Sequence, residues 1–263
     1  MQWFTYRSRM LDAVDLFDVT GQRALITGST RGIGLAFARA LVRAGCVTVL
    51  HGRDADTLER ARRELDGDVR TARFDVTDAA GVAAGVAEIE AAIGGLDILV
   101  NNAGVQHRES VLTVDPVMWH TVLSTNLTGA FLVSRAVAGG MVARGRGKIV
   151  NVCSVQSELA RPGITPYAAA KGGLKLLTRG LCAELGPHGV QVNGIGPGYI
   201  ATDLTAPLRA DPEFDAWVRR RAPAGRWGTT DDLVGALLFL VSPASDYVNG
   251  QIVYVDGGML ATV

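Results

Sequence analysis

The sequence predicts an α/β protein built on a single doubly wound parallel sheet, three layers deep, of about seven strands with helices on both faces. Three observations carry that expectation. Short β-branched, apolar runs alternate along the chain with longer stretches of helical spacing. The short runs are apolar on both sides instead of alternating, as strands covered on both faces are. No repeat, low-complexity tract or linker divides the chain. Regular alternation demands a parallel sheet, because each parallel crossover needs a helix to return the chain.

The predicted strands, in order, are RALIT (23–27), CVTVLH (46–51), VRTARF (69–74), DILVN (97–101), KIVNVC (148–153), VQVNGI (190–195) and QIVYV (251–255). Helical spacing occupies 34–44, 55–65, 78–93, 116–143, 166–185 and 230–240. One domain is expected over 14–263. Residues 1–13 read as an N-terminal extension, either disordered or an alternative start.

The composition suits that fold. Of 263 residues 48% are apolar and 20% charged, enough burial to offset chain entropy. Lys+Arg and Asp+Glu both number 26, and this neutral balance argues against nucleic acid as a partner. The longest apolar run, VGALLFLV (234–241), falls far short of the roughly 20 residues of a membrane span. The N-terminus carries Arg7, Arg9 and Asp12 and no apolar core, unlike a signal peptide. The three cysteines, Cys46, Cys153 and Cys182, are far apart, which fits a reducing cytoplasm. The four histidines show no ligand spacing, so no metal site is expected.

The first strand runs into Thr27-Gly28-Ser29-Thr30-Arg31-Gly32-Ile33-Gly34 and then a helix. Glycines 28, 32 and 34 let the chain turn and bring backbone N–H groups against a pyrophosphate, helped by the helix N-terminus. A tight turn with nothing bound is the rival. The second strand ends Leu50-His51-Gly52-Arg53-Asp54, with Gly52 where the ribose-binding acid of an NAD site is expected. Arg53 and Arg31 together favour the 2′-phosphate of NADP. Asp54 lies at about the spacing of an NAD acid, and a helix-capping role for Arg53 and Asp54 is the other alternative.

Ser154 follows the fifth strand, and Tyr167 and Lys171 are four apart in PYAAAK, on one helical face. A lysine ammonium close to a tyrosine, together with an oxidised nicotinamide, favours the phenolate and makes it a usable acid/base. A serine hydroxyl can hold a carbonyl oxygen on which charge collects. Cys153 reads as a buried strand residue.

With these motifs the chain resembles the short-chain dehydrogenase/reductase family over about 14–263. The resemblance rests on TGSTRGIG (27–34), Asp75-Val76, NNAG (101–104), Asn126 in STNLTG, Ser154, YAAAK (167–171) and PGYIAT (197–202). It implies a Rossmann-type fold and a catalytic tetrad of Asn126, Ser154, Tyr167 and Lys171. It implies that Lys171 also holds the nicotinamide ribose and that Asn126 holds a proton-relay water, compatible with a helix kink at the same place. It further implies a cofactor site of Gly28, Thr30, Arg31, Gly32, Ile33, Gly34, Arg53, Asp75, Val76, Asn102, Ala103, Gly104, Tyr167, Lys171, Pro197, Gly198, Ile200 and Thr202. In that site Asp75 bonds the adenine, Asn102, Ala103 and Gly104 flank the adenine ribose, and Thr202 meets the carboxamide.

Further stretches, among them NNAGVQHRES (101–110), VCSVQSELAR (152–161), APAGRWG (222–228) and SDYVNGQIVYVDGGML (245–260), resemble the branch of the family that interconverts gluconate and 5-keto-gluconate. A sister branch acting on 2-dehydro-3-deoxy-gluconate shares several of them, but tends toward NAD and departs more in the serine loop. A 3-oxoacyl carrier-protein reductase and a non-catalytic NADP-binding regulator are the more distant alternatives. A polyhydroxy acid needs a cation and several polar groups. Arg108 is the first choice for its carboxylate and Arg161 the second, with Gln156, Ser157 and Glu158 for hydroxyls; a solvated loop arginine is the rival for each. The segment 204–227, with three prolines, reads as a substrate lid. Arg219–Arg221 reads as a solvated helix face rather than a contact for an anionic partner. Met259 and Leu260 either close the pocket or pack on a neighbouring subunit. The helices 116–143 and 166–185 are apolar on more than one face, which predicts a homo-oligomer, and the family suggests a homotetramer.

Overall fold

A computed structural model of the chain describes residues 13–263. The expected extension over 1–13 lies outside the described residues except for Ala13, which opens a short helical turn, α1 (Ala13–Leu16). Seven strands follow: β1 (Arg23–Ile26), β2 (Val47–Gly52), β3 (Val69–Arg73), β4 (Ile98–Asn101), β5 (Gly147–Val152), β6 (Val190–Pro197) and β7 (Ile252–Val255). They form one all-parallel sheet in the order β3-β2-β1-β4-β5-β6-β7. The helices are α2 (Gly32–Arg43), α3 (Ala55–Arg63), α4 (Ala79–Ile93), α5 (Pro116–Leu123), α6 (Gly129–Arg144), α7 (Thr165–Leu185), α8 (Ala206–Arg209), α9 (Pro212–Arg221) and α10 (Val234–Val241).

The pleat explains the unbroken apolar runs. Successive strand side chains point to opposite faces, and both faces are covered. Ala24, Ile26, Ile98 and Val100 join Phe37, Leu41, Leu237 and Leu240 of α2 and α10 in one core. Leu25, Leu99 and Ile149 join Val86, Val133, Val137 and Met141 of α4 and α6 in the other. The two edge strands depart from the expectation of two apolar sides. β3 is mostly exposed and β7 half-buried throughout, because an edge lacks a second neighbour. Among the described residues no helix is long and apolar enough to cross a membrane.

The helix starts follow the sequence closely. Asp54, Asp78, Asp115 and Asp211 accept from backbone N–H groups in the first turns of α3, α4, α5 and α9, two of which carry proline at the first position. The predicted helix 116–143 is interrupted by a π-turn over Ser124–Thr128, where Gly129 N–H reaches back to the Ser124 carbonyl. Strand order reverses between β1 and β4, so their following loops part and leave a crevice at the carboxyl edge.

Candidate active site

That crevice is a cleft of about 870 Å3. One wall is the glycine loop after β1. Gly28 and Gly32 adopt left-handed backbone angles, φ +62° and +57°. A Cβ on Gly28 would lie 2.8 Å from Ala103 Cα, and one on Gly34 would lie 2.5 Å from both Asn102 Nδ2 and the Gly28 carbonyl, so the loop closes only with glycine at both places. A Cβ on Gly32 would project into the open cleft, with only Thr202 Cγ2 nearby at 3.9 Å. Among the described residues α2 has no side-chain cap, unlike α3, α4, α5 and α9, so its first N–H groups face the cleft unmet. This bare cradle fits the diphosphate of a dinucleotide.

Thr30, Arg31, Gly32, Ile33, Arg53, Asp75, Val76, Asn102, Ala103, Gly104, Pro197, Gly198, Ile200 and Thr202 all line the cleft with Gly28. Gly34 lies behind the loop, where it makes the close contacts just described. Asn102 does more than flank the cleft. Its amide donates to the Thr27 and Gly28 carbonyls, both at 2.9 Å, and so holds the loop's shape. Asp54 caps α3 through the Thr57 N–H at 2.9 Å, the capping role that was the alternative to an NAD acid. Arg53 reaches Asp75 at 3.4 Å with its side chain 74% exposed. Asp75 also accepts from the Thr77 backbone N–H and hydroxyl, and these bonds hold its carboxyl below the usual range.

The opposite wall carries Ser154, Tyr167 and Lys171. Ser154 is buried at the end of β5, where its hydroxyl accepts from the Gln156 N–H at 3.1 Å. Tyr167 stands on the first turn of α7. Burial pushes its phenol up to about 12, while Ser154 pulls it down. Lys171 Nζ donates to the Val152 carbonyl and lies 5.7 Å from the Tyr167 ring centroid, and burial lowers its own pKa to about 8. Asn126 sits in the π-turn, 1% exposed and off the cleft lining. Its Oδ1 accepts from Val105 N–H at 2.7 Å and its Nδ2 donates to the Val105 carbonyl at 2.8 Å. The kink is present, and the side chain is engaged with the loop after β4. Cys153 is buried, its thiol raised to about 11.

One expected substrate contact stands elsewhere. Glu158 is on the outer surface, paired with Lys175 and accepting from the Tyr254 hydroxyl at 2.6 Å. Arg108 is exposed, its Nη2 donating to Gln106 Oε1 at 2.8 Å and the Leu204 carbonyl at 3.1 Å, both on cleft-lining residues, and its charge acts on the Tyr167 phenol. Ser157 donates to the Lys171 carbonyl at 2.9 Å. Arg161 and Gln156 do line the cleft. Both lie against Tyr199, and among the described residues Arg161 Nε and Gln156 Oε1 are buried without a hydrogen-bond partner. Met259 is 1% exposed and packs on Val155 and Ala222 of its own chain, so it neither closes the cleft nor faces outward.

Sequence reasoning missed Tyr199 and His51. Tyr199 lines the cleft beside Gln156 and packs edge-on against Phe214, Trp217 and Trp227 at 5.5–5.7 Å. This aromatic group seats α9 over the cleft, and Leu204, Thr205 and Leu208 reach into it. The signal was present: an aromatic just past β6, and three more in a segment read as a lid.

Residues 28–260 match the family model described as enoyl-(acyl carrier protein) reductase. The chain is 51% identical to gluconate 5-dehydrogenase of Gluconobacter oxydans, covering 95% of this chain and 98% of that one. It is 47% identical to 5-keto-D-gluconate 5-reductase of Escherichia coli, covering 95% and 99%. A crystal structure of a gluconate 5-dehydrogenase from Burkholderia cenocepacia in complex with NADP and tartrate superposes with a TM-score of 0.93 at 50% identity, covering 96% of this chain and 100% of that one. A glycine loop that only glycine can close, a serine, tyrosine and lysine across the cleft from it, and relatives matched along nearly their whole length lead to one conclusion: the chain belongs to the short-chain dehydrogenase/reductase family.

Proposed function

We propose that this protein is an NADP-dependent oxidoreductase interconverting D-gluconate and 5-keto-D-gluconate, with Ser154, Tyr167, Lys171 and Asn126 as its working tetrad. The observation that carries the reading is the meeting of Ser154, Tyr167 and Lys171 on one wall of a cleft whose other wall is a bare glycine cradle. The substrate is taken from the relatives, two of which are named for this pair of compounds. The solved relative in complex with NADP and tartrate, a small hydroxylated acid, supports the same class.

Bound NADP supplies or accepts the hydride. The chain's own groups do the rest. Tyr167, protonated at neutral pH, donates its proton to the ketone oxygen during reduction. Ser154 donates a hydrogen bond to that oxygen as charge gathers on it. Lys171, anchored by the Val152 carbonyl, would hold the nicotinamide ribose. Asn126 holds the Val105 peptide, and with it the loop that borders the cleft. Arg31 and Arg53 receive the 2′-phosphate, since Gly52 offers no side chain and Asp54 is engaged as a cap. Arg161, ahead of Arg108, takes the substrate carboxylate, and Gln156 takes a hydroxyl. The protein works in the cytoplasm as a homotetramer of single-domain subunits spanning 14–263. Exposed Val117, Phe131 and Leu176 on α5–α7 support the oligomer.

The test is NADPH oxidation with 5-keto-gluconate, other keto-sugar acids and a 3-oxoacyl thioester, repeated with NADH. The expected order puts 5-keto-gluconate with NADPH first. Tyr167→Phe loses about 10²–10⁴-fold in kcat, the usual worth of a positioned proton donor. A Tyr167→Phe enzyme of normal rate rules out the donor, and thioester as the best substrate rules out the substrate class.

A further inference from the structure

We infer that His51 is a positioning residue for the dinucleotide, acting through the Gly28 peptide. The inference rests on the cofactor reading above and goes beyond it, because His51 belongs to no part of the glycine loop or tetrad. Its side chain is 2% exposed at the carboxyl end of β2. Both ring nitrogens are engaged. Nδ1 accepts from the Gly28 N–H at 3.1 Å, and Nε2 meets the Phe74 carbonyl, just past β3, at 3.0 Å. A carbonyl can only accept, so Nε2 carries the proton and Nδ1 is free to receive the glycine N–H. The network thus selects one neutral tautomer. Burial drives the ring the same way, to a pKa of about 4. Asp75 and Arg53 are the charged groups that act on it, with opposite signs.

The main chain of His51 adds a second tie. Its N–H donates to Ser29 Oγ at 2.9 Å, and its carbonyl accepts from the Ser29 N–H at 3.0 Å. Gly28 is therefore held on both sides of its left-handed turn, its N–H by His51 and its carbonyl by Asn102 at 2.9 Å. The Thr27–Gly28 peptide is itself bonded at both ends, its N–H to His51 and its carbonyl to Asn102. With its N–H facing the imidazole, the diphosphate is left to the uncapped N–H groups at the start of α2. A group that fixes this peptide before binding removes an ordering cost from dinucleotide binding.

Side-chain length separates the two bonds. Asparagine ends near the position of Nδ1 and offers an acceptor to Gly28, while glutamine ends near Nε2 and can reach only Phe74. The experiment measures NADPH dissociation constants by calorimetry for wild type, His51→Asn, His51→Gln and His51→Ala, alongside kcat and KM. The expected result is near-wild-type NADPH affinity for His51→Asn and a loss of about five- to tenfold for His51→Gln and His51→Ala, the size of one hydrogen bond. The KM for NADPH should rise in parallel while kcat at saturation changes less than about threefold. Nitrogen-15 NMR of the free wild-type protein near pH 7 should report a neutral ring protonated on Nε2. Equal affinity of wild type and His51→Ala overturns the inference, as does an Nδ1-protonated ring. Wild type that binds no NADPH at all overturns the cofactor reading itself, with the tautomer still reporting on the Gly28 clamp.

Discussion

Arg161→Met tests how the substrate is chosen. The arginine lies in the cleft lining, its guanidinium stacked 5.2 Å above the centroid of Phe214 on α9. It makes one long bond to the Pro162 carbonyl at 3.4 Å and acts on the Tyr199 hydroxyl, with Nε buried and unmatched among the described residues. A carboxylate arriving there meets a cation with donors to give. Charge-assisted hydrogen bonds contribute about 1.5–3 kcal/mol, so loss of the guanidinium should raise KM for 5-keto-gluconate about 10- to 150-fold. Methionine keeps the apolar stem against Phe214, which isolates the charge from the packing. Arg108→Met should change KM less than about fivefold, because that side chain is exposed and its Nη2 is already shared between Gln106 and Leu204. The assay is steady-state reduction at saturating NADPH, with a keto-hexose lacking the carboxylate as control. Arg161→Met should leave the control's KM unchanged. A KM for 5-keto-gluconate equal to wild type, or a larger effect from Arg108→Met, refutes the assignment.

Gly28→Ala would force a Cβ to 2.8 Å from Ala103 Cα at φ +62°; left-handed strain of about 1–2 kcal/mol plus overpacking of about 1–3 kcal/mol should lower Tm by about 5–15 °C in a thermal melt. Arg53→Ala should cut kcat/KM with NADPH about tenfold and leave NADH unchanged, the worth of one phosphate contact at an exposed site; parallel kinetics with the two dinucleotides check it.

Much of the fold was legible because its signals are local and mutually consistent. Two-sided apolar runs such as DILVN follow from a pleat buried on both faces, and Asp-Pro pairs at 115–116 and 211–212 mark helix starts by their capping chemistry. The glycine loop and the Tyr167–Lys171 spacing were legible for the same reason: neighbours in sequence are neighbours in space. What stayed hidden depends on side chains meeting across elements. Glu158 and Gln156 are two residues apart, yet one turns outward to Lys175 and Tyr254 and the other into the cleft. Arg108 and Arg161 look alike as loop cations until distant partners distinguish them, the Leu204 carbonyl, 96 residues downstream, for Arg108 and the Phe214 ring for Arg161. His51 reads as one more strand residue until Phe74 and Gly28 are brought to its two nitrogens.

The acid–base pair shows what burial alone does to a site. Lysine beside tyrosine is expected to pull the phenol down, yet here both groups are desolvated, and each moves toward its neutral form: the phenol up to about 12, the amine down to about 8. In this geometry the chain by itself holds a protonated phenol against Ser154, which is the state needed to give a proton to a ketone oxygen. Val152 belongs to the same arrangement, because its strand carbonyl anchors the buried amine of Lys171 beside the Tyr167 ring.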